Sequence, residues 1–123
     1  MGADLAYVGS AFIATPEARA SDEYKQAIVS SSAADIVYSN LFTGIHGNYL
    51  RSSIVAAGLD PDNLPQPGAD AMNFKSSTGA KAWRDIWGSG QGVGAVDSIL
   101  PTAELIAKMT TEYQAAKAKI CAS

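Results

Sequence analysis

The chain has one cysteine and one histidine in 123 residues, and only 17% of it is Asp, Glu, Lys or Arg, against about 25% in an average globular domain. A lone thiol at Cys121 makes no internal disulfide and no zinc cluster, so neither an oxidised scaffold nor a cysteine metal site is available, and a reducing compartment fits. His46 has no second histidine with which to share a metal, and no metal ligands are assigned. Nine basic residues against twelve acidic ones give a net charge of -3. No basic block is present, which argues against nucleic acid and against an anionic membrane surface as partners. No apolar run approaches the roughly 18 residues of a membrane span, and the N-terminus lacks a basic signal-peptide region. A soluble, cytoplasmic protein is expected. Ala6 stands where a myristoylation motif needs Ser or Thr.

What is there is apolar. Hydrophobic residues make up 47% of the chain, and the mean hydropathy is +0.03. A chain of this length is one domain at most and buries roughly two thirds of the surface exposed by its unfolded form. The surplus of apolar side chain predicts a face covered by another chain, so a homo-oligomer is expected.

Residues 4–8, Asp-Leu-Ala-Tyr-Val, form a short apolar run ending at Gly9-Ser10 and read as a buried strand entering a turn. Thr15-Pro16-Glu17 offers one helix start, with a capping hydroxyl before a proline at the first helical position. Ser21-Asp22-Glu23 offers another, for a helix through about Ser30 with Tyr24, Ala27 and Ile28 on one face. Residues 33–40 are β-branched at Ile36 and Val37 and read slightly better as strand than as buried helix. Gly44 and Gly47 place His46 in a loop, after which Tyr49 to Ala57 reads as a helix stopped by Gly58. Residues 59–78 hold three prolines and few apolar anchors beyond Leu64, Met72 and Phe74. So long a loop belongs over a site or on a partner. A helix from Gly79 or Ala80 to Trp87 places Trp83 and Trp87 on one side. The glycine cluster 88–94 is followed by a short helix to about Ile99. Pro101-Thr102-Ala103-Glu104 opens the last helix, with an apolar face of Leu105, Ile106, Met109, Tyr113, Ala116 and Ile120. The pattern is mainly α, with one or two short strands, over a single domain spanning 1–123.

Two glycine turns carry what chemistry the sequence offers. Gly88-Ser-Gly-Gln-Gly-Val-Gly94 ahead of a helix is able to aim backbone N–H groups at an anion, although a plain helix-to-helix turn explains it as well. Gly90-x-Gly92-x-x-Ala95 matches a dinucleotide fingerprint in letters, but no strand precedes it. No Lys-Ser or Lys-Thr follows, which excludes a P-loop. Gly9-Ser10 after an apolar run is the same kind of ambiguous turn. His46 is the natural proton-transfer candidate near neutral pH, against the simpler reading of a packing or capping histidine. Asp60 and Asp62 in Asp-Pro-Asp-Asn are accounted for by a turn, and the run is too short for a calcium loop. No serine sits in a Gly-x-Ser-x-Gly elbow.

Taken in order, several segments resemble the C-terminal portion of the nitronate monooxygenases, formerly 2-nitropropane dioxygenases. They are Gly2-Ala-Asp-Leu-Ala-Tyr-Val-Gly-Ser-Ala-Phe-Ile-Ala-Thr15, Ser31-Ser-Ala-Ala-Asp-Ile-Val-Tyr38, Leu41-Phe-Thr-Gly-Ile45, Gly47-Asn-Tyr-Leu-Arg51, Ala57-Gly-Leu-Asp-Pro-Asp-Asn-Leu-Pro65 and Trp87-Gly-Ser-Gly-Gln-Gly-Val-Gly94. Members of that family are FMN-dependent TIM-barrel oxidoreductases. The resemblance implies that residues 2–15 correspond to the last barrel strand and its phosphate-side turn. It implies that Gly9 and Ser10 offer amides to the FMN phosphate and that Gly90 and Gln91 lie beside the flavin. A complete barrel needs roughly 200 residues or more, so this chain reads as a fragment of one. The family's catalytic histidine belongs to the part that has no counterpart here, and His46 does not align with it; no catalytic residue is assigned. Three expectations follow: a self-associating relative that is not catalytic alone, a partner to a separate N-terminal barrel piece in an enzyme oxidising alkyl nitronates, or a binding module for a phosphate-bearing ligand.

Overall fold

The structure is a computed structural model that describes residues 4–65 and 82–122. In these segments the chain forms α1 (Ser10–Ile13), α2 (Asp22–Ser30), β1 (Ile36–Ser39), β2 (Gly47–Leu50), α3 (Arg51–Ala56), α4 (Ala82–Asp85) and α5 (Thr102–Cys121), with 3-10 turns at Ala33–Asp35 and Gln91–Ala95. This is the mainly helical architecture, with one or two short strands, that the pattern predicts; two strands are present among the described residues. Residues 66–78 of the long loop, including Met72 and Phe74, lie outside the described residues, as do Gly79, Ala80 and the side chain of Trp83.

Helix α2 begins where the sequence says it should. The Ser21 hydroxyl accepts the Tyr24 amide at 3.3 Å, and Asp22 and Glu23 in the first turn meet the positive end of the helix dipole. Its inner face puts Ile28 fully out of solvent, with Tyr24 and Ala27 packed beside it. Helix α3 ends at Gly58, whose φ of +80° is the left-handed conformation that only glycine adopts without cost.

Strands β1 and β2 pair antiparallel, with Ile36 opposite Leu50 and Val37 opposite Tyr49. Because successive strand residues face opposite ways, this small sheet divides two cores. Val37 and Tyr49 pack with Leu41, Phe42, Ile54 and Ile86. Ile36 and Leu50 pack with Ala14, Ile28 and Val93. The far edge of β2 is closed by residues 87–89: the Leu50 amide donates to the Trp87 carbonyl at 2.8 Å, and the Ser89 amide to the Asn48 carbonyl at 3.2 Å. Buried Ser53 locks that seam. Its hydroxyl donates to the Leu50 carbonyl at 2.8 Å and accepts the Trp87 amide at 3.0 Å.

Several sequence expectations are corrected. Residues 4–8 form no strand and are not buried; Leu5 is 92% and Tyr7 102% exposed. An apolar run becomes a strand only when another strand takes up its backbone groups, and no described residue does so. Thr15 does not cap a following helix, because its hydroxyl donates back to the Phe12 carbonyl at 2.9 Å. Tyr49 and Leu50 belong to β2, so the helix starts at Arg51. The glycine run is itself the 3-10 turn, and no helix continues to Ile99. Glycine's entropic cost disfavours a regular helix there. On α5 only Leu105 of the apolar face is buried.

Candidate functional site

The two glycine turns singled out in the sequence meet. The Gly90 amide donates to the Ser10 hydroxyl oxygen at 2.9 Å across a separation of 80 residues. Each turn arrives there for a local reason. Gly9 precedes the single turn of α1, closed by the Phe12 amide on the Gly9 carbonyl at 3.0 Å. Gly90 is extended and precedes the 3-10 turn, closed in the same way by the Val93 amide at 3.0 Å. Val93 is buried against Ile28 and Leu50, which fixes the second turn to the core. The first is fixed by Ala14 in the same cluster.

Between the turns and the first half of α5 lies a cleft of about 320 Å³, lined by Tyr7, Val8, Gly9, Ser10, Gly90, Gly92, Asp97, Lys108 and Glu112 among others. At the start of any helical turn the first amides have no partner within the turn, and residues from two such starts, Ser10, Ala11, Gly90 and Gly92, line this cleft. A Cβ added at Gly9 or Gly92 would meet nothing within 4 Å, and one at Gly90 would make ordinary contact with Ser10 Oγ at 3.6 Å. The packing of the chain itself therefore does not demand glycine at these positions. The arrangement is suited to a small oxyanion held by backbone N–H groups and one hydroxyl.

The charge on the wall works the other way. Among the described residues Lys108 is the one basic lining residue, and it is already bound to both oxygens of Asp97 at 2.9 and 2.8 Å. That bond holds the Asp97 carboxyl below its ordinary range and raises the Lys108 ammonium. Glu112 adds a second negative charge. An anion in this cleft gains hydrogen bonds but no net positive charge from the described residues.

Of the four residues expected at the site, Gly9, Ser10 and Gly90 are brought together. Gln91 begins the 3-10 turn but is exposed and does not line the cleft. His46 stands elsewhere, exposed and stacked on Tyr38 with centroids 4.8 Å apart. Asp60 and Asp62 are turn residues. The Asp60 carboxylate accepts from Asn63 Nδ2 at 2.8 Å and the Asp62 amide at 3.0 Å, while Asp62 binds the Arg51 guanidinium through two 2.8 Å bonds. Both carboxyls are held below their usual range, Asp60 chiefly by Asn63 and Asp62 chiefly by Arg51. Trp87 stacks on Tyr24 at 5.0 Å as a packing residue, and the Tyr24 hydroxyl donates to the Gly88 carbonyl. Among the described residues no three His, Cys, Asp or Glu side chains converge as metal ligands, and no helix is long and apolar enough to cross a membrane. The wall made by Asp97 together with Lys108 and Glu112 of α5 was not anticipated, because no sequence spacing ties α5 to the glycine turns.

The family model described as nitronate monooxygenase matches residues 1–112. A protein from Paraburkholderia phytofirmans named nitronate monooxygenase is 27% identical over 123 aligned positions, covering 93% of this chain and 33% of that protein. The chain thus spans about one third of the length of the curated relative that it matches. No solved structure matches it.

Proposed function

We propose that this chain, which belongs to the nitronate monooxygenase family, supplies the phosphate-side corner of an FMN site and does not oxidise alkyl nitronates without further polypeptide. The observation that carries this reading is the 2.9 Å bond from the Gly90 amide to Ser10 Oγ, which joins the two turns that the family resemblance links to the flavin.

The residues present fit the phosphate end of FMN. The turn amides at Ser10 and Ala11, the Ser10 hydroxyl and the turn at Gly90 and Gly92 would hold it. They do not enclose the isoalloxazine ring. A cleft of about 320 Å³ stands at the small end of the range of ligand pockets, which bury most of their ligand. Tyr7 beside it is fully exposed. When bound, FMN supplies the redox chemistry of the family; this chain's own part is to orient the phosphate and thereby the ring. A nitronate oxidation also needs a base within hydrogen-bond reach of the substrate carbon, and His46, outside the cleft, does not supply one. The missing positive charge and the ring's walls come, in this reading, from a barrel-forming segment that also pairs with residues 4–8.

The test is replacement of the aligned third of the Paraburkholderia protein by this chain. The expected product is yellow, and Ser10→Ala in the chimera weakens FMN binding about tenfold, the effect of one hydrogen bond to a charged group. A chimera that is monodisperse and helical yet colourless at saturating FMN refutes the proposal.

A further inference from the structure

Helix α5 leaves the body of the molecule after its first two turns. Leu105 is buried and Lys108 and Met109 are half-covered, but every residue from Thr110 to Ala122 is exposed. A stretch of twelve helical residues with every side chain exposed draws little stability from tertiary packing, so its apolar stripe is open to a partner. Its sequence indicates which one. Ile106, Tyr113 and Ile120 recur at intervals of seven, with Met109 and Ala116 three residues after the first two, which is the a/d spacing of a coiled-coil seam. The a positions are open to solvent at 50%, 63% and 75%.

The charges flanking this stripe are complementary to the stripe itself. With Ile106 at a, Glu112 takes a g position, Lys117 an e position and Lys119 the following g. In a parallel pair Glu112 faces Lys117 of the other copy, and in an antiparallel pair it faces Lys119, so either direction sets opposite charges across the seam twice. No Glu–Glu or Lys–Lys contact is forced in the seam's charged flank. We infer that the distal half of α5 is a self-association surface, occupied by the same helix of a second copy of this chain. The inference stands on the helix alone and does not depend on FMN binding.

Sedimentation equilibrium of the full chain from about 10 µM to about 1 mM tests it, in the weak range proper to so short a seam. The expected result is a monomer–dimer equilibrium. Tyr113→Glu combined with Ile120→Glu should raise Kd at least tenfold while the near-ultraviolet signal of the Tyr24–Trp87 stack is retained. Glu112→Lys, which leaves the apolar stripe intact, should raise Kd about fivefold by exchanging two attractive contacts for two repulsive ones. Adding Lys117→Glu restores it for a parallel pair, and Lys119→Glu for an antiparallel one. A chain that is monomeric throughout, or a dimer indifferent to both the Tyr113/Ile120 and the Glu112 changes, overturns the inference. The second outcome would move the contact to another surface, such as the exposed segment 4–8.

Discussion

Replacing Ser53 by alanine removes one oxygen and two hydrogen bonds. Ser53 is 1% exposed, on the first turn of α3, and its hydroxyl bridges the Leu50 carbonyl and the Trp87 amide at 2.8 and 3.0 Å. The Trp87 amide then loses its described acceptor beneath a half-covered side chain, at about 1–3 kcal/mol, and the Leu50 carbonyl loses one of its bonds at about 0.5–1 kcal/mol. Ser53→Ala should therefore destabilise the fold by about 2 kcal/mol. For a chain of this size that corresponds to a fall in Tm of about 6–10 °C, a large share of the stability of a typical domain. Urea melts at 25 °C, with the exposed neighbour Ser52→Ala as control, measure it; the control should change by less than about 0.5 kcal/mol. Hydrogen exchange adds a local reading, because the Trp87 amide should lose protection well ahead of amides in α2. A loss below about 0.5 kcal/mol, or a Trp87 amide as slow as before, refutes the assignment of Ser53 as the clasp between β2 and the segment leading to Gly90.

Ile28→Ala empties a fully buried position between α2 and the sheet and should cost about 3 kcal/mol in chemical denaturation. Gly58→Ala forces a Cβ onto a backbone at φ +80° and should lower stability by about 1 kcal/mol, whereas an unchanged melt would mean that the turn adopts another conformation. Ser21→Ala removes the α2 cap and should cost about 1 kcal/mol, visible in the same melts. The pH dependence follows from the carboxyls. Asp62 beside Arg51, Asp97 beside Lys108, and Glu17, which accepts the Thr102 amide that opens α5 at 3.0 and 3.2 Å, all sit below their ordinary range. Groups with lowered folded values stabilise above the unfolded value and lose that contribution as the pH falls through the folded one. The urea midpoint should hold steady down to about pH 5 and fall below about pH 4, and a midpoint that rises on acidification contradicts the pairings.

Apart from Thr15-Pro16-Glu17, which opens no helix, the local signals in the sequence describe the structure and the non-local ones do not. Ser21 as a cap, Gly58 as a stop and Pro101-Thr102 as a start act through neighbouring residues, and α2, α3 and α5 begin or end at them. The β1 segment was legible because Ile36 and Val37 are β-branched and face opposite cores. Tyr49 and Leu50 misled, since their strand state depends on Val37 and Ile36, twelve and fourteen residues earlier, and on residues 87–89 much later. Residues 4–8 misled for the opposite reason: the apolar pattern of a strand is present, and no described neighbour completes it. At the candidate site, Gly9, Ser10 and Gly90 were legible as turns and as matches to the family. The hydrogen bond between them and the Asp97–Lys108 wall were not, because both depend on how the cores bring distant segments together.

The contribution of this chain to flavin binding is most directly read by following backbone amide shifts while FMN, and separately riboflavin, is added. FMN should move the amides of Gly9, Ser10, Ala11, Gly90 and Gly92 with a Kd in about the millimolar range, weak because Lys108 is already held by Asp97. Riboflavin, which lacks the phosphate, should leave them in place. Equal shifts with both compounds, or shifts confined to other residues, would contradict a phosphate-side corner at these two turns.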